Sequence, residues 1–474
     1  MKRTKVICTL GPSSKDETII KNLLLQGMNV ARVNMSHGDH EAHRETIDLF
    51  RKVRDEMKLA AAVLIDTKGP EIRLGDFVNG TVTIQKDETF TFTTDNVLGN
   101  EKLAHVTYDK LPEDLEKGDY ILVNDGLIRF RVDEISGNNI ICTAETDGVL
   151  YNHKGVNVPN KVLSMPFLSD ADKADMLFAI EEKVEYVAAS FTRRAEDIKA
   201  LRAFLEENGG ANIDIIAKIE NAEGISNLEE ILKVADGIMI ARGDMGVEIE
   251  FERIPGIQKH LIKRAREEGK VVITATQMLE SMINNPVPTR AEITDIANAV
   301  FEGTSAVMLS GETASGKYPV EAMETMNRII LQSENDYEDY RENRDIVLNV
   351  DRRNVTNAVG HGACTIAKDI NAKALMAITS SGYTAVKMAK FRPKHMIIGA
   401  TPSTEAFHKM SLNWGVVPLM TEKHKEMSPE NLYRHCLDKA LEAGLIAKND
   451  LIVFTMGFPT GKAGNTNEIR VEKA

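Results

Sequence analysis

Residues 214–224 read DIIAKIENAEG, an apolar run that ends on charged side chains and a glycine. The first part is typical of a buried strand. Residues two apart in an extended chain leave from the same face, so Lys218 and Glu220 are predicted to project together where the strand ends. Gly224 and a helical pattern follow. The stretch therefore indicates one β/α unit whose strand finishes on a cation and an anion.

The same arrangement occurs eight times along the chain. Seven other short β-type runs belong to the same series; six directly precede a helical pattern, and the alternation breaks after AAVLID before it resumes. They are TKVICTL, NVARVN, AAVLID, VEYVAAS, DGIMIAR, KVVITAT and SAVMLS. Eight parallel β/α units close into a barrel, so we predict a (β/α)₈ TIM barrel with its functional groups at the C-terminal ends of the strands.

Two other regions interrupt or follow this alternation. Residues 70–166 contain short strand-like runs separated by Gly and Asn turn pairs, which predicts a small β domain inserted after the third strand. From residue 345 to 474, four further strand-like runs separated by helices predict a doubly wound α/β domain. The barrel is then predicted over 1–69 and 167–344.

Composition narrows the class of protein. The net charge of −13 argues against a general nucleic-acid binder, because phosphate neutralisation needs a basic surface. No apolar stretch approaches the length of a membrane span, so no membrane partner is expected. The four cysteines show no paired spacing, which favours a reducing, cytoplasmic location over a disulfide framework.

Unusual polar residues follow six of the eight predicted strands. The segments are ARVNMSHG, LIDTKGPEIR, IAKIENAEG, MIARGDMG, ITATQMLESM and MLSGETASG. Any one of them alone is more often a helix cap or a surface ion pair. Because the strand ends of a barrel converge on one rim, six together predict a functional site there.

Glu220 and Asp244 follow neighbouring predicted strands, and two carboxylates can hold a hard cation such as Mg²⁺. The spacing is equally compatible with Glu220 pairing with Lys218 while Asp244 caps the next helix. Lys218 and Arg32 would create a local positive potential suited to a phosphate. The free amides from Gly243 onward could bind a carboxylate.

Asn34, Ser36, Asp66 and Thr67 form a second oxygen-rich set with one carboxylate among them. Such a set suits a weakly charged hard cation such as K⁺ better than zinc. Asn and Ser are also ordinary turn residues, so the chemistry alone leaves both interpretations open.

Together these segments resemble the pyruvate kinase family. The motifs that carry the resemblance are KVICTLGPSS, ARVNMSHG, DTKGPEIR, NHKGVNVP, KIENAEG, ARGDMGVE, ATQMLESM and MLSGETASGKYPVEA, in the order of that family. The match extends from Thr4 to GNTNEIRV near the C-terminus. It implies a (β/α)₈ barrel, a small β-barrel lid inserted after the third strand, and a C-terminal α/β domain.

The resemblance implies transfer of the phosphoryl group of phosphoenolpyruvate to ADP, giving pyruvate and ATP in the last step of glycolysis. Lys218 would stabilise the transferring group with help from Arg32, and Thr276 would lie beside the enolate. Backbone groups at Gly243 and Asp244 would receive the substrate carboxylate. The implied catalytic residues are therefore Lys218, Thr276 and Arg32, and the substrate would contact Arg32, Lys218, Gly243, Asp244 and Thr276.

The resemblance also implies cofactor and nucleotide contacts. Glu220 and Asp244 would hold Mg²⁺ or Mn²⁺, and Glu71 is similar to the residue found in K⁺-dependent members. K⁺ would take Asn34, Ser36, Asp66 and Thr67. The nucleotide would contact Asn34, Met35, Ser36, His37, Arg73 and Lys154, the last reaching the site from the inserted domain when the lid closes.

Regulation and assembly are further expectations from the resemblance. The segment TSSGYT lies where family members bind the phosphate of an activator, although an ordinary turn capping a helix fits it nearly as well. A sugar phosphate or AMP is the expected effector, with Lys462 the cation of the last loop, and a homotetramer is the expected assembly. The effector residues would be Thr379, Ser380, Ser381, Gly382 and Thr384.

Two other classes of function use the same residues. A metal-dependent carbon–carbon lyase could stabilise a pyruvate enolate with Glu220 and Asp244, but the K⁺ set and Lys154 disfavour it. A catalytically silent sensor of sugar phosphates is disfavoured because Lys218, Glu220, Asp244 and Thr276 are all present.

Overall fold

The computed structural model describes residues 2–124, 126–159, 161, 163–341, 351, 353–422, 427–458 and 465–474. The chain begins with β/α steps whose strands are buried almost throughout, as their apolar runs require. These elements are β1 (Lys5–Thr9), α1 (Glu17–Leu25), β2 (Val30–Asn34), α2 (His40–Glu56) and β3 (Ala62–Asp66).

After β3 the chain leaves the barrel and builds the inserted domain. Its elements are β4 (Ile72–Arg73), β5 (Thr81–Ile84), β6 (Thr89–Thr93), β7 (Leu103–His105), α3 (Leu111–Asp114), β8 (Tyr120–Val123), β9 (Ile128–Ser136), β10 (Asn139–Ala144), β11 (Gly148–Tyr151) and β12 (Gly155–Asn157). A seven-stranded sheet runs β4-β12-β8-β9-β10-β6-β7, and β5 pairs with β11. The two edges of the larger sheet meet through the Leu74–Val106 bridge, so the sheet curls around a core that contains Phe90, Phe92 and Phe130.

The barrel resumes at α4. Its remaining elements are α4 (Asp170–Glu181), β13 (Tyr186–Ala189), α5 (Ala195–Glu207), β14 (Asp214–Ile219), α6 (Ala222–Ser226), α7 (Leu228–Val234), β15 (Gly237–Ala241), α8 (Arg242–Glu248), α9 (Ile254–Glu268), β16 (Val271–Ala275), α10 (Arg290–Glu302), β17 (Ala306–Leu309), α11 (Gly311–Ala314) and α12 (Pro319–Arg341). Short 3₁₀ turns occupy Pro12–Ser14, Phe251–Arg253 and Glu280–Ile283.

The eight predicted β/α strands are the eight strands of one closed parallel barrel, so the predicted fold class is confirmed. Their order around the barrel is β1-β17-β16-β15-β14-β13-β3-β2. Inward-facing residues such as Ile216, Met239 and Ile273 fill its centre, while the outward residues pack under the helices. A filled centre leaves the strand ends as the place where polar side chains can collect.

The C-terminal domain contains the four predicted strands and one more. Its elements are α13 (Val355–Asp369), β18 (Ala374–Ile378), α14 (Tyr383–Ala389), β19 (Met396–Thr401), α15 (Thr404–Lys409), a 3₁₀ turn (Met410–Leu412), β20 (Val416–Met420), α16 (Pro429–Glu442), β21 (Leu451–Met456) and β22 (Glu468–Lys473). The sheet runs β20-β19-β18-β21-β22, with β22 antiparallel at its edge. An edge strand exposes much of its side-chain surface, so β22 has no apolar run by which it could be recognised as a strand in the sequence. Within the described ranges, no helix is both long and apolar enough to cross a membrane.

Candidate active site

A cleft of about 800 Å³ opens between the C-terminal ends of the barrel strands and the inserted domain. The barrel contributes Arg32, Lys218 and Glu220 to its wall, and the inserted domain contributes Arg73 and Lys154. Asn34, Ser36, His37, Thr67 and Asp244 also line it. The structure therefore brings most of the predicted site residues into one space shared by two domains.

Lys218 is the centre of a buried polar network. Its Nζ lies 3.0 Å from Asp66 Oδ1 and 2.9 Å from Glu220 Oε1, and it donates to Ser190 Oγ at 2.8 Å. Burial alone would lower the pKa of Lys218, but the two carboxylates outweigh it and raise that pKa, so the side chain is cationic. Lys218 and Glu220 of the DIIAKIENAEG stretch are thus ion-paired with each other, and Lys218 is also ion-paired with Asp66.

Asp66 links Lys218 to Arg32. Arg32 Nε lies 2.7 Å from Asp66 Oδ2, and Arg32 Nη1 donates to Thr9 Oγ1 at 2.9 Å. Burial would raise the pKa of Asp66, but Arg32 and Lys218 together lower it, which keeps the carboxylate ionised. Both predicted phosphate-binding cations are therefore fixed by one buried carboxylate, a role beyond the K⁺ contact that the family resemblance implies.

Glu220 presents one oxygen that suits a metal. Its Oε2 accepts a hydrogen bond from the Phe191 amide at 2.6 Å, whereas the buried Oε1 has among the described residues only its 2.9 Å ion pair with Lys218 Nζ. Burial raises the pKa of Glu220 to about 7, with Lys218 opposing and the Asp244 charge adding to the rise. A buried, incompletely satisfied carboxylate beside a second carboxylate fits a hard divalent cation.

The described part of the chain holds no group of three or more His, Cys, Asp and Glu side chains arranged to bind a metal. A cation on Glu220 and Asp244 would therefore need oxygen ligands from water or substrate, as is usual for Mg²⁺.

The four oxygen-bearing residues predicted for K⁺ also come together. Asn34 faces Asp66 directly in the β2–β3 register, and Thr67 continues from Asp66. Asn34 Oδ1 accepts from the Ser36 amide at 3.2 Å, which forms a turn that carries Ser36 back toward the strand ends. The register places Asn34 and Asp66 side by side at neighbouring strand ends, and K⁺ binding by this set stays a prediction.

Met35 occupies a different position from its predicted partners. Its side chain is buried in the core cluster under the helices, and its amide donates to the Asp66 carbonyl at 3.0 Å. It is not among the described residues that line the cleft. Any nucleotide contact of Met35 must therefore come from its backbone.

Thr276 and Gly243 form a pair at the edge of the cleft rather than in its described lining. The Gly243 amide donates to Thr276 Oγ1 at 2.8 Å, and that hydroxyl donates to the Ala275 carbonyl at 2.6 Å. Thr276 has φ +67°, an unfavourable conformation for a β-branched residue, and Arg242 Nη2 donates to its carbonyl at 2.6 Å. The amide expected to receive a carboxylate is thus hydrogen-bonded to the expected catalytic threonine.

The inserted domain contributes two predicted nucleotide-binding cations, Arg73 and Lys154, to the cleft. Arg73 makes two hydrogen bonds to Glu71, at 2.7 and 2.9 Å, and donates to the His153 carbonyl at 2.9 Å. A bidentate carboxylate partner orients a guanidinium strongly. Lys154 follows His153 directly and lines the same wall. Glu71 therefore positions the predicted nucleotide-binding arginine.

Sequence reasoning missed the end of the fourth strand. Ser190 accepts from Lys218 and donates to the Thr67 carbonyl at 2.6 Å, while the Phe191 amide holds Glu220. The segment VAASFT lacks the charged residue that drew attention to the other strand ends, although its position in the β/α order is the same. The position of this segment after the fourth barrel strand was the signal that could have identified Ser190 and Phe191 as site residues.

The predicted effector segment forms a tight turn between β18 and α14. Thr379 Oγ1 accepts from the Gly382 amide at 3.0 Å, and Gly382 has φ +88°. Thr384 Oγ1 lies 3.0 Å from Thr466 Oγ1, and Ser380 and Ser381 are exposed. Lys462 lies outside the described residues, so the effector site stays a prediction.

Comparison with known proteins identifies both large domains. The family model described as "Pyruvate kinase, barrel domain" matches residues 1–323, and "Pyruvate kinase, alpha/beta domain" matches residues 357–472. A protein named pyruvate kinase from Clostridium acetobutylicum is 45% identical over 475 residues, covering 100% of this chain and 99% of its own. One from Clostridium perfringens is 43% identical over 478 residues, with 100% of each chain covered. The crystal structure of a pyruvate kinase from Cryptosporidium parvum superposes with a TM-score of 0.90 at 34% identity, covering 100% of this chain and 96% of its own.

Proposed function

The chain belongs to the pyruvate kinase family, and from that membership we propose that it transfers the phosphoryl group of phosphoenolpyruvate to ADP, giving pyruvate and ATP. The observation that carries the proposal is Lys218, a buried cation held between Asp66 and Glu220 at the floor of a cleft shared by two domains.

Phosphoryl transfer depends on positioning and charge neutralisation more than on covalent chemistry. Lys218 and Arg32 would bind the oxygens of the moving phosphoryl group from one side of the cleft. Both are already fixed by Asp66, so little reorganisation would be needed when the substrate arrives. Arg73 and Lys154 would bind the nucleotide phosphates from the inserted domain, with Asn34, Ser36 and His37 on the barrel side.

Glu220 and Asp244 would hold Mg²⁺ or Mn²⁺. When bound, that ion would neutralise charge on the phosphoryl oxygens and orient them for transfer. The support from this chain is the buried Glu220 carboxylate, whose Oε1 is bound among the described residues only by its ion pair with Lys218 and whose pKa the Asp244 charge helps to raise.

K⁺ would be bound by Asn34, Ser36, Asp66 and Thr67. The cross-strand pairing of Asn34 with Asp66 supports this proposal, since it places these two residues side by side at the ends of neighbouring strands. Glu71 is the residue expected in K⁺-dependent members of the family.

Thr276 would position the proton that reaches the enolate carbon after transfer. Its hydroxyl bonds the Gly243 amide, so binding of the substrate carboxylate at Gly243 and Asp244 would require that hydrogen bond to be exchanged. Closure of the inserted domain would exclude water, which otherwise competes with ADP for the phosphoryl group.

Regulation, assembly and location are separate proposals. A sugar phosphate or AMP would activate the enzyme by binding its phosphate at the turn that contains Thr379 and Gly382, and four chains would form a homotetramer. A cytoplasmic location is supported by the four cysteines, whose positions in the sequence show no paired spacing.

One assay tests the reaction and the K⁺ site separately. The protein is incubated with phosphoenolpyruvate, ADP and Mg²⁺ in either K⁺ or Na⁺, and ATP and pyruvate are followed together. We expect both products in K⁺ and at least about tenfold less in Na⁺, and none after Mg²⁺ is chelated. No ATP in either salt would overturn the proposed reaction, whereas equal rates would overturn only the K⁺ site.

A further inference from the structure

A short loop after β13, residues 190–193, lies between the cleft and both connections of the inserted domain. We call the connection entering that domain after β3 the entry segment (residues 67–71) and the one returning to α4 the exit segment (residues 163–169). Each of these three stretches is short, so the contacting residues within any one of them are only a few positions apart.

The barrel side of loop 190–193 supports the catalytic pair. Ser190 Oγ accepts from Lys218 Nζ at 2.8 Å, and the Phe191 amide donates to Glu220 Oε2 at 2.6 Å. Phe191 has φ +53°, a conformation that a bulky residue adopts only where its surroundings impose it. The loop is therefore held in a specific shape by the residues it supports.

The entry segment packs directly on this loop at Gly69. Gly69 has φ +72°, and a Cβ added there would stand 2.8 Å from Ser190 Cβ and 3.1 Å from the Phe191 ring. Its amide donates to Asp172 Oδ1 at 2.9 Å. Asp172 is buried and its other oxygen accepts from the Ser169 amide at 3.0 Å, so one carboxylate ties the entry segment to the exit segment.

The exit segment is bound by the far end of the same loop. Arg193 Nη1 donates to the Leu163 carbonyl at 3.0 Å, and Nη2 donates to the Met165 carbonyl at 3.1 Å. The Arg193 side chain is only 12% exposed, and Asp197 lies 3.6 Å from its Nε. Two charge-assisted hydrogen bonds from one planar group fix both distance and orientation.

We propose that loop 190–193 couples the position of the inserted domain to Lys218 and Glu220, with Arg193 as the positioning residue that carries the coupling. The proposal rests on the proposed function, which gives Lys218 and Glu220 their catalytic roles. A movement of the inserted domain that displaces the exit segment would act on Arg193, because the Leu163 and Met165 carbonyls are bonded to it. In the same loop, Ser190 and Phe191 support the phosphoryl-binding Lys218 and the metal-binding Glu220.

The test compares Arg193→Met with two matched variants. Arg193→Met keeps an unbranched apolar side chain in place of the arginine stem but removes both hydrogen bonds to the exit segment, and Arg193→Lys keeps the charge and can restore one. Arg194→Met is the control, because Arg194 pairs instead with Glu223, at 3.4 Å. Amide hydrogen exchange is measured without substrate over 163–169 and over 186–194, which includes the Phe191 amide that donates to Glu220. Thermal unfolding checks that each variant is folded.

We expect Arg193→Met to speed exchange by about tenfold or more in both segments, since hydrogen bonds to charged groups contribute enough for that change. We also expect kcat to fall by about tenfold while KM for phosphoenolpyruvate changes less than threefold, because the coupling acts on Lys218 and Glu220 during transfer. Arg193→Lys should recover part of both effects. Arg194→Met should behave as the unaltered protein.

Other results would overturn the coupling. Faster exchange only over 163–169, with kcat unchanged, would mean that Arg193 holds the exit segment without affecting the catalytic pair. No change in either measurement would mean that Arg193 does not couple the exit segment to Lys218 and Glu220. If the unaltered protein makes no ATP, the proposed reaction fails, but the exchange comparison between 163–169 and 186–194 still decides whether the loop links the two regions.

Discussion

The carboxylate of Asp66 lies 3.0 Å from Nζ of Lys218. The same carboxylate binds Arg32 through its other oxygen, so a single residue from β3 orients two cations that come from β2 and β14. Each cation is buried, and neither would be favourable there without a nearby anion. The two predicted phosphate-binding cations are thus held in a buried network that is locally close to neutral.

Replacing that carboxylate tests the network. In Asp66→Asn, the amide can accept from Lys218 but must then turn a donor toward Arg32 Nε, leaving a buried charge unpaired. We expect the free energy of unfolding to fall by about 3 to 5 kcal/mol and kcat to fall by at least ~100-fold. Urea unfolding and steady-state assays measure the two effects. Asp76→Asn is the control, since Asp76 is 57% exposed and pairs only at the surface with His153. Equal behaviour of the two variants would contradict the role given to Asp66.

Lys218→Met should separate phosphoryl transfer from metal binding. The variant removes the cation but leaves Glu220 Oε2 bonded to the Phe191 amide, so the metal ligand keeps its support. We expect kcat to fall by at least ~100-fold, with Mn²⁺ affinity within about threefold of that of the unaltered protein. Enzyme assays and electron paramagnetic resonance of free Mn²⁺ provide the measurements. Lys199→Met, on the exposed face of α5, is the control, and near-normal turnover of Lys218→Met would mean that another lysine acts.

Two glycines with nearly the same backbone conformation separate strain from packing. Gly69 has φ +72° and lies against Ser190, whereas Gly80 has φ +74° with no described atom within 4 Å of an added Cβ. Gly80→Ala should cost about 1 kcal/mol of stability through backbone strain alone and leave activity unchanged. Gly69→Ala should cost about 1 to 3 kcal/mol more and lower kcat, because Ser190 must move. Thermal unfolding and activity assays of both variants make the comparison, and equal losses would refute the packing role of Gly69.

His408 makes the stability of the fold sensitive to acid. Burial, with the nearby charge of Arg54, lowers the pKa of His408 to about 4, and the residue is 6% exposed. The unfolded chain takes up a proton near the ordinary histidine pKa of about 6.5, while the folded chain resists it, so this contribution to stability is present above pH 6.5 and is lost as the pH falls toward 4. Urea unfolding at pH 7.5 and 5 should therefore show a smaller difference for His408→Gln than for the unaltered protein. His260→Gln, on an exposed position of α9, should retain the full difference.

Much of the fold could be predicted from the sequence. The barrel strands are short apolar runs, each followed by a helix, and that pattern is local because a strand buried on both faces must be apolar along its length. Strand β22 could not be found in the same way, since it lies at a sheet edge and alternates charged with apolar residues.

The candidate site was predictable where chemistry is concentrated in one residue. Lys218, Glu220 and Asp244 stand out because charges directly after buried strands are unusual. Ser190 and Phe191 act through a hydroxyl and a backbone amide, which leave no distinctive sequence pattern. The roles of Ser190 and Phe191 depend on the side chains, Lys218 and Glu220, that the tertiary fold places beside them.

The sequence by itself determined the β/α order, the inserted domain and the charges at the strand ends, because hydrophobic periodicity and residue type are properties of short segments. Only the tertiary structure decided that Asp66 pairs with both Arg32 and Lys218, that Met35 faces the core, and that Arg193 binds the exit segment of the inserted domain. The contacts of Asp66 and Arg193 join residues 28 to 152 positions apart in the sequence. The orientation of Met35 depends on which face of its segment the helices cover. Barrel closure and the docking of the inserted domain bring these distant residues together and decide which side chains are covered. No single segment of the sequence encodes either outcome.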